Sequence, residues 1–118
     1  MHELSLVQNL LEQTLHLMRE HKASRVTAVS VVIGPFSGVV AESFAFAFDA
    51  LKRDDPALAA ARLDMERPAP RYLCLDCGGE AEIPPLPDRP ESRCPACGSR
   101  QLSPLGGTEL VLRQISME

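Results

Sequence analysis

Four cysteines stand in two pairs, Cys74-x-x-Cys77 and Cys94-x-x-Cys97, with sixteen residues between the pairs. Two intervening residues let one tight knuckle aim both sulfurs at a single ion. A glycine follows each knuckle, Gly78 and Gly98. Glycine accepts the positive φ that turns backbone amides toward thiolates. Two such knuckles close a tetrahedron of four sulfurs. That donor set favours Zn(II), with a rubredoxin-type iron as the competing occupant. Four thiolates fill the coordination sphere, so the ion is expected to be structural, with no open position for catalysis. Two disulfides are the alternative in an oxidising compartment. A redox Cys-x-x-Cys explains one pair and leaves the other unexplained.

A second chemistry is available at Met1-His2-Glu3. The plain reading is a frayed end carrying a solvated imidazole. Yet a free α-amine, the His2 amide nitrogen and the His2 imidazole close adjacent chelate rings on one ion, and the Glu3 amide completes a plane. Nitrogen donors in a plane suit Ni(II) or Cu(II). Binding through amides that must lose protons depends on pH. The other histidines offer less: His16 falls on a polar helix face and His21 near a helix end, so both read as surface residues.

These groups need elements to position them. Residues 4–20 carry Leu4, Val7, Leu11, Leu15 and Met18 at three- and four-residue steps, an amphipathic helix widened by Leu6, Leu10 and Leu17. Ser5 with Gln8 reads as a capping box. Residues 25–33 are β-branched and apolar on both alternating faces, which suits a central strand, and Gly34-Pro35 stops it. A second helix is expected over 41–53, with Val40, Phe44, Phe48 and Leu51 on one stripe and Phe46 beside it. Residues 61–67 alternate as a half-exposed strand, and 108–117 read as a last strand. Strand, helix and strand over 25–67 are expected to form a parallel crossover.

The composition changes between Pro68 and Pro104, where eight of the ten prolines and all four cysteines lie. A module of that length is too small to hold itself together by apolar burial, and metal supplies the missing stability. The expected fold is therefore α+β: a small mixed β-sheet with two helices, plus an inserted zinc-ribbon-like module carrying a four-cysteine zinc site. The expected division is 1–67 together with 106–118 for the α/β domain and 68–105 for the zinc-binding domain. Pro84, Pro85, Pro87 and Pro90 read as a stiff connector within that module.

Composition excludes several functions. The formal charge is −4 over 118 residues, with 45% hydrophobic and 24% charged residues. Four zinc-bound thiolates and the ion move that charge to about −6. Nucleic-acid binders normally present a basic face and stacking aromatics, and this chain has no Trp and one Tyr. No apolar run approaches the roughly 18 residues of a membrane span. The start lacks a signal peptide's basic segment and cleavage site, so the expected compartment is the cytoplasm. A zinc-ribbon nucleic-acid or transcription-associated module is the rival reading; it explains the cysteines but neither the acidity nor the terminus. No nucleophile–base set or phosphate-binding glycine loop argues for an enzyme.

Taken in order, MHELSL at the start, IGPFSGV at 33–39, ESFAFAFD at 42–49, CLDCG at 74–78 and CPACGS at 94–99 resemble the HypA/HybF family of hydrogenase nickel-insertion metallochaperones. The resemblance spans essentially the whole chain. Pro35-Phe36 departs from the family's usual residues before Ser-Gly-Val. The resemblance implies a nickel site at Met1 (amine), His2 (imidazole and amide) and Glu3 (amide), and a zinc site at Cys74, Cys77, Cys94 and Cys97. It also implies delivery of Ni(II) to the [NiFe]-hydrogenase large subunit, without catalysis. The implied partners are that subunit and the nickel-binding GTPase accessory protein HypB, with urease maturation served in some organisms.

Overall fold

A computed structural model describes residues 3–83 and 93–118. Their elements are α1 (Glu3–Glu20), β1 (Val26–Ile33), α2 (Ala41–Lys52), β2 (Arg62–Glu66), β3 (Arg71–Cys74), β4 (Glu80–Glu82), β5 (Leu102–Pro104) and β6 (Leu110–Met117). They form two three-stranded sheets, ordered β2-β1-β6 and β4-β3-β5.

The first sheet is mixed. β1 pairs parallel with β2 across the α2 crossover and antiparallel with β6. Helices and sheet share one core: Val7, Leu10 and Leu11 from α1, Phe44, Ala47 and Phe48 from α2, and Val29, Val31 and Ile33 from β1. Phe44 and Phe48 are fully buried, and burying a side chain of that size contributes roughly 1.5–3 kcal/mol. Thr14 is the buried polar residue of α1; its hydroxyl donates to the Leu10 carbonyl at 2.7 Å, which satisfies it inside the core.

Several sequence expectations need correction. Helix α1 begins at Glu3, so Ser5 lies within the helix and caps nothing. Val40 is the N-cap of α2 and is 54% exposed, outside the apolar stripe. Leu4 is likewise exposed. Strand β1 is central because it is paired along both edges, while its second face carries half-buried Ser30 and Val32 beside exposed Arg62 and Asp64. Within the cysteine-bearing segment, the zinc-ribbon-like module is built from three short strands whose number and bounds the sequence did not specify. Strands of three or four residues are too short to show an alternating pattern. The Pro84–Pro90 connector expectation lies outside the described residues.

The first sheet reaches the second where the turn after β1 closely crosses the segment leading from β5 into β6. The Gly34 amide donates to the Glu109 carbonyl at 3.0 Å, and the Phe36 amide donates to the Gly107 carbonyl at 2.7 Å. A Cβ on Gly34 would fall 2.3 Å from the Gly107 carbonyl oxygen, so only glycine fits. Phe36 then stacks edge-to-face on Tyr72 of β3, with ring centroids 5.5 Å apart.

Candidate metal centre

Each knuckle is built from the same local hydrogen bonds. The Gly78 amide donates to the Cys74 carbonyl at 2.9 Å, and the Gly98 amide donates to the Cys94 carbonyl at 2.8 Å. The Cys74 amide donates to the Gly79 carbonyl at 2.8 Å, and the Cys94 amide donates to the Ser99 carbonyl at 2.8 Å. Both turns need a left-handed glycine, and Gly78 and Gly98 each have φ of 75°. Strand β3 delivers Cys74 into the first turn, and β5 leaves the second knuckle to pair with β3, Cys74 opposite Leu102. That pairing brings the two knuckles face to face.

The four sulfurs all lie within 4.8 Å of one another. Cys74 Sγ is 3.6 Å from Cys97 Sγ, and Cys77 Sγ is 3.7 Å from Cys94 Sγ. A tetrahedral zinc with bonds of about 2.3 Å requires sulfur–sulfur edges of about 3.8 Å. The donor set and its spacing therefore fit one tetrahedral ion. Cys74 and Cys94 are buried, while Cys77 and Cys97 face outward.

The electrostatics pull the pairs apart. The Cys77 amide donates to Cys74 Sγ at 3.4 Å. That donor, opposed by burial and aided by the Asp76 amide, holds the Cys74 thiol at about 6. Amides of Cys97 and Ala96 lower Cys94 in the same way. The Gly79 amide favours the Cys77 thiolate, but the sulfurs of Cys74 and Cys94 and burial outweigh it and raise this thiol. Cys97, favoured as a thiolate by the Ser99 amide, is pushed up to about 12 by the Cys74 sulfur, burial and the Cys94 sulfur. Four sulfurs at this spacing resist full ionisation without a cation, and a divalent ion removes that conflict.

One brace between the knuckles was not legible beforehand. The Ser99 hydroxyl donates to the Asp76 carboxylate, and the Gln101 amide donates to Ser99 Oγ at 3.0 Å. The signal was an acidic residue inside the first knuckle and a hydroxyl after the second, and nothing in the spacing placed them opposite each other.

The remaining candidates are separate from this cluster. Glu3 opens α1 and is half-buried; Met1 and His2 lie outside the described residues. His16 is exposed, 3.1 Å from Glu20 one turn along α1, and His21 is exposed beyond the helix end. Among the described residues, the cysteine quartet is the one cluster of three or more metal-ligating groups.

Two helices, a mixed sheet and a quartet of cysteines on paired knuckles define a small metal-binding protein of the α+β class. Comparison with known proteins narrows the class. The family model for "Hydrogenase/urease nickel incorporation, metallochaperone, hypA" matches residues 1–117. The hydrogenase maturation factor HypA of Beijerinckia indica is 34% identical over 117 residues, covering 99% of both chains. That of Albidiferax ferrireducens is 36% identical over 118 residues, covering 100% of both. The solution structure of the Ni metallochaperone HypA from Helicobacter pylori superimposes with a TM-score of 0.65 at 26% identity, over 99% of this chain and 97% of that one. The chain belongs to the HypA family of nickel-incorporation metallochaperones. Among the described residues, no helix is long and apolar enough to cross a membrane.

Proposed function

We propose that this protein carries Ni(II) at its amino terminus and delivers it to the large subunit of [NiFe]-hydrogenase in the cytoplasm, with the nickel-binding GTPase HypB as accessory partner. The cargo ligands are the Met1 amine, the His2 amide and imidazole, and the Glu3 amide. Cys74, Cys77, Cys94 and Cys97 hold a structural zinc, which supplies charge compensation and cross-links the two knuckles. The chain divides into 1–67 with 106–118 for nickel and 68–105 for zinc.

The observation that carries this reading is the family match across residues 1–117, which takes in both the terminal triplet and the knuckles. Chemistry supports it. Four thiolates saturate a tetrahedral ion, so a transferable cargo requires a different site. An amine, amide and imidazole set selects a square-planar ion and releases it when protons return to the amides. Few ligands at a chain end are kinetically open to an acceptor.

The test is nickel titration of the zinc-loaded protein with an untagged Met1. One nickel per chain beside one zinc is expected. His2→Ala abolishes nickel binding and leaves zinc and fold intact, and one residue added before Met1 disrupts nickel binding as well. Unchanged nickel affinity in the extended protein refutes the terminal site.

A further inference from the structure

The Pro35-Phe36 turn has no part in either metal site, yet it is tightly built. The Ser37 amide donates to the Gly34 carbonyl at 3.1 Å, and the Ser37 hydroxyl donates to the same oxygen at 2.7 Å. The Val39 amide donates to Ser37 Oγ at 3.3 Å. This turn bears on Gly107, in the segment between β5 and β6. The Phe36 amide holds the Gly107 carbonyl, and a Cβ on Gly107 would fall 2.8 Å from Pro35 Cδ. The half-buried Phe36 ring then meets Tyr72 of β3 edge-to-face, a geometry that aromatic pairs favour.

A short ladder links Tyr72 to the cysteines. Along β3 and β5, Cys74 lies opposite Leu102, Leu73 opposite Ser103 and Tyr72 opposite Pro104. The Leu105 amide continues it, donating to the Arg71 carbonyl at 2.9 Å. Gly106 and Gly107 follow, both left-handed at φ of 63° and 72°, and then β6 joins the first sheet. Little else holds this ladder. Among the described residues from Arg71 to Leu105, only Cys74 and Cys94 are buried. Strands of three or four residues with no apolar core beneath them do not support themselves. Four sulfurs within 4.8 Å of one another oppose each other's ionisation until a cation joins them.

We propose that Phe36 latches the cysteine-bearing module to the helical half, and that the latch closes only while the quartet holds its ion. This rests on the zinc reading of the quartet above. With both knuckles held, the pairing of β3 with β5 fixes Tyr72 where Phe36 meets it, and the chain turns as one body. With the knuckles released, β5 leaves β3, Tyr72 leaves Phe36, and the module swings about Gly106-Gly107. The helical half stays folded on its own core of α1, α2 and β1 residues.

Tyr72 is the chain's one tyrosine and there is no tryptophan, so its emission reads the latch directly. The test compares the full-length zinc-loaded chain with the same chain stripped by a chelator. Three readouts are taken: acrylamide quenching of Tyr72, the nuclear Overhauser effect between the two rings, and backbone amide relaxation. The zinc-loaded chain is expected to protect Tyr72, to show the ring-to-ring effect and to give both sheets one rotational correlation time. Stripping is expected to abolish the ring-to-ring effect and shorten the module's correlation time, while α1 and α2 keep their helical signal. Phe36→Ala is expected to bind one zinc per chain and still tumble as two bodies. Tyr72→Phe keeps the ring and is expected to tumble as one. Zinc-loaded Phe36→Ala with the wild-type correlation time overturns the proposal. A chain that takes up no zinc overturns the zinc reading and the proposal together. One zinc per chain, with a ring contact that survives stripping, overturns the proposal alone.

Discussion

Replacing Gly34 with alanine tests how the cysteine-bearing segment is anchored to the helical half. The new Cβ would lie 2.3 Å from the Gly107 oxygen, 2.6 Å from the Gly107 carbonyl carbon and 2.8 Å from the Glu109 oxygen. All three are backbone atoms, and carbon–oxygen contacts settle near 3.3–3.6 Å. The start of β6 must therefore retreat by about 1 Å. Such a shift breaks the Gly34–Glu109 and Phe36–Gly107 hydrogen bonds, each contributing about 1 kcal/mol. It also separates Phe36 from Tyr72, a contact worth about 0.5–1.5 kcal/mol beyond burial. The expected loss is about 3 kcal/mol by these magnitudes. In urea, with a slope of about 2 kcal/mol/M, the midpoint falls by about 1.5 M. The assay is equilibrium unfolding of the zinc-loaded protein by circular dichroism and by Tyr72 fluorescence. Gly38→Ala is the control: nothing lies within 4 Å of its Cβ, and only its φ of 78° opposes a side chain, at about 1–2 kcal/mol. An equal or smaller loss for Gly34→Ala than for Gly38→Ala would refute the steric argument.

Three further outcomes follow from the packing and the metal centre. Phe48→Ala empties a fully buried ring site and is expected to cost about 3–5 kcal/mol, checked by thermal unfolding; a shift under about 1 kcal/mol would mean that the core collapses around the gap. Cys74→Ser removes the buried thiolate at the head of the first knuckle, so zinc content by elemental analysis should fall well below one per chain while α1 and α2 persist. If zinc stays stoichiometric, the quartet is not the site. Protons and ion compete for the same sulfurs, so zinc affinity falls as pH falls; transfer to a chelator should be faster at about pH 5 than at about pH 8, and the reverse order would exclude thiolate ligation.

The knuckles were legible in the chain because each is local. A pair of cysteines two residues apart and a following glycine specify one turn, and the structure has that turn twice, with Gly78 and Gly98 left-handed. The stripe from Val7 through Leu11 to Met18 and the β-branched run of β1 were legible for the same reason: their periods repeat within a few residues. Boundaries were less so. Ser5 looked like a cap because the pattern of a capping box does not reveal where the first turn begins. Val40 looked like part of the stripe because its spacing to Phe44 and Phe48 fits, but it is the extended N-cap outside the helix, and Phe46, two residues from each buried ring, points to the opposite side of α2.

The sequence by itself determined the chemistry: which groups can ligate metal, at what spacing, and which stretches are helical or extended. Tertiary structure decided what those groups face. Only the pairing of β5 with β3 brings Cys94 and Cys97 within 4.8 Å of Cys74 and Cys77. Only the crossing of Gly34 with Gly107 ties the two sheets through Phe36 and Tyr72. Only the seating of α1 beside α2 leaves Phe46 and Leu4 open next to Glu3. Knuckles and periodic stripes arise from contacts a few residues apart. Juxtapositions across tens of residues depend on which apolar faces bury one another, and no local pattern records that choice.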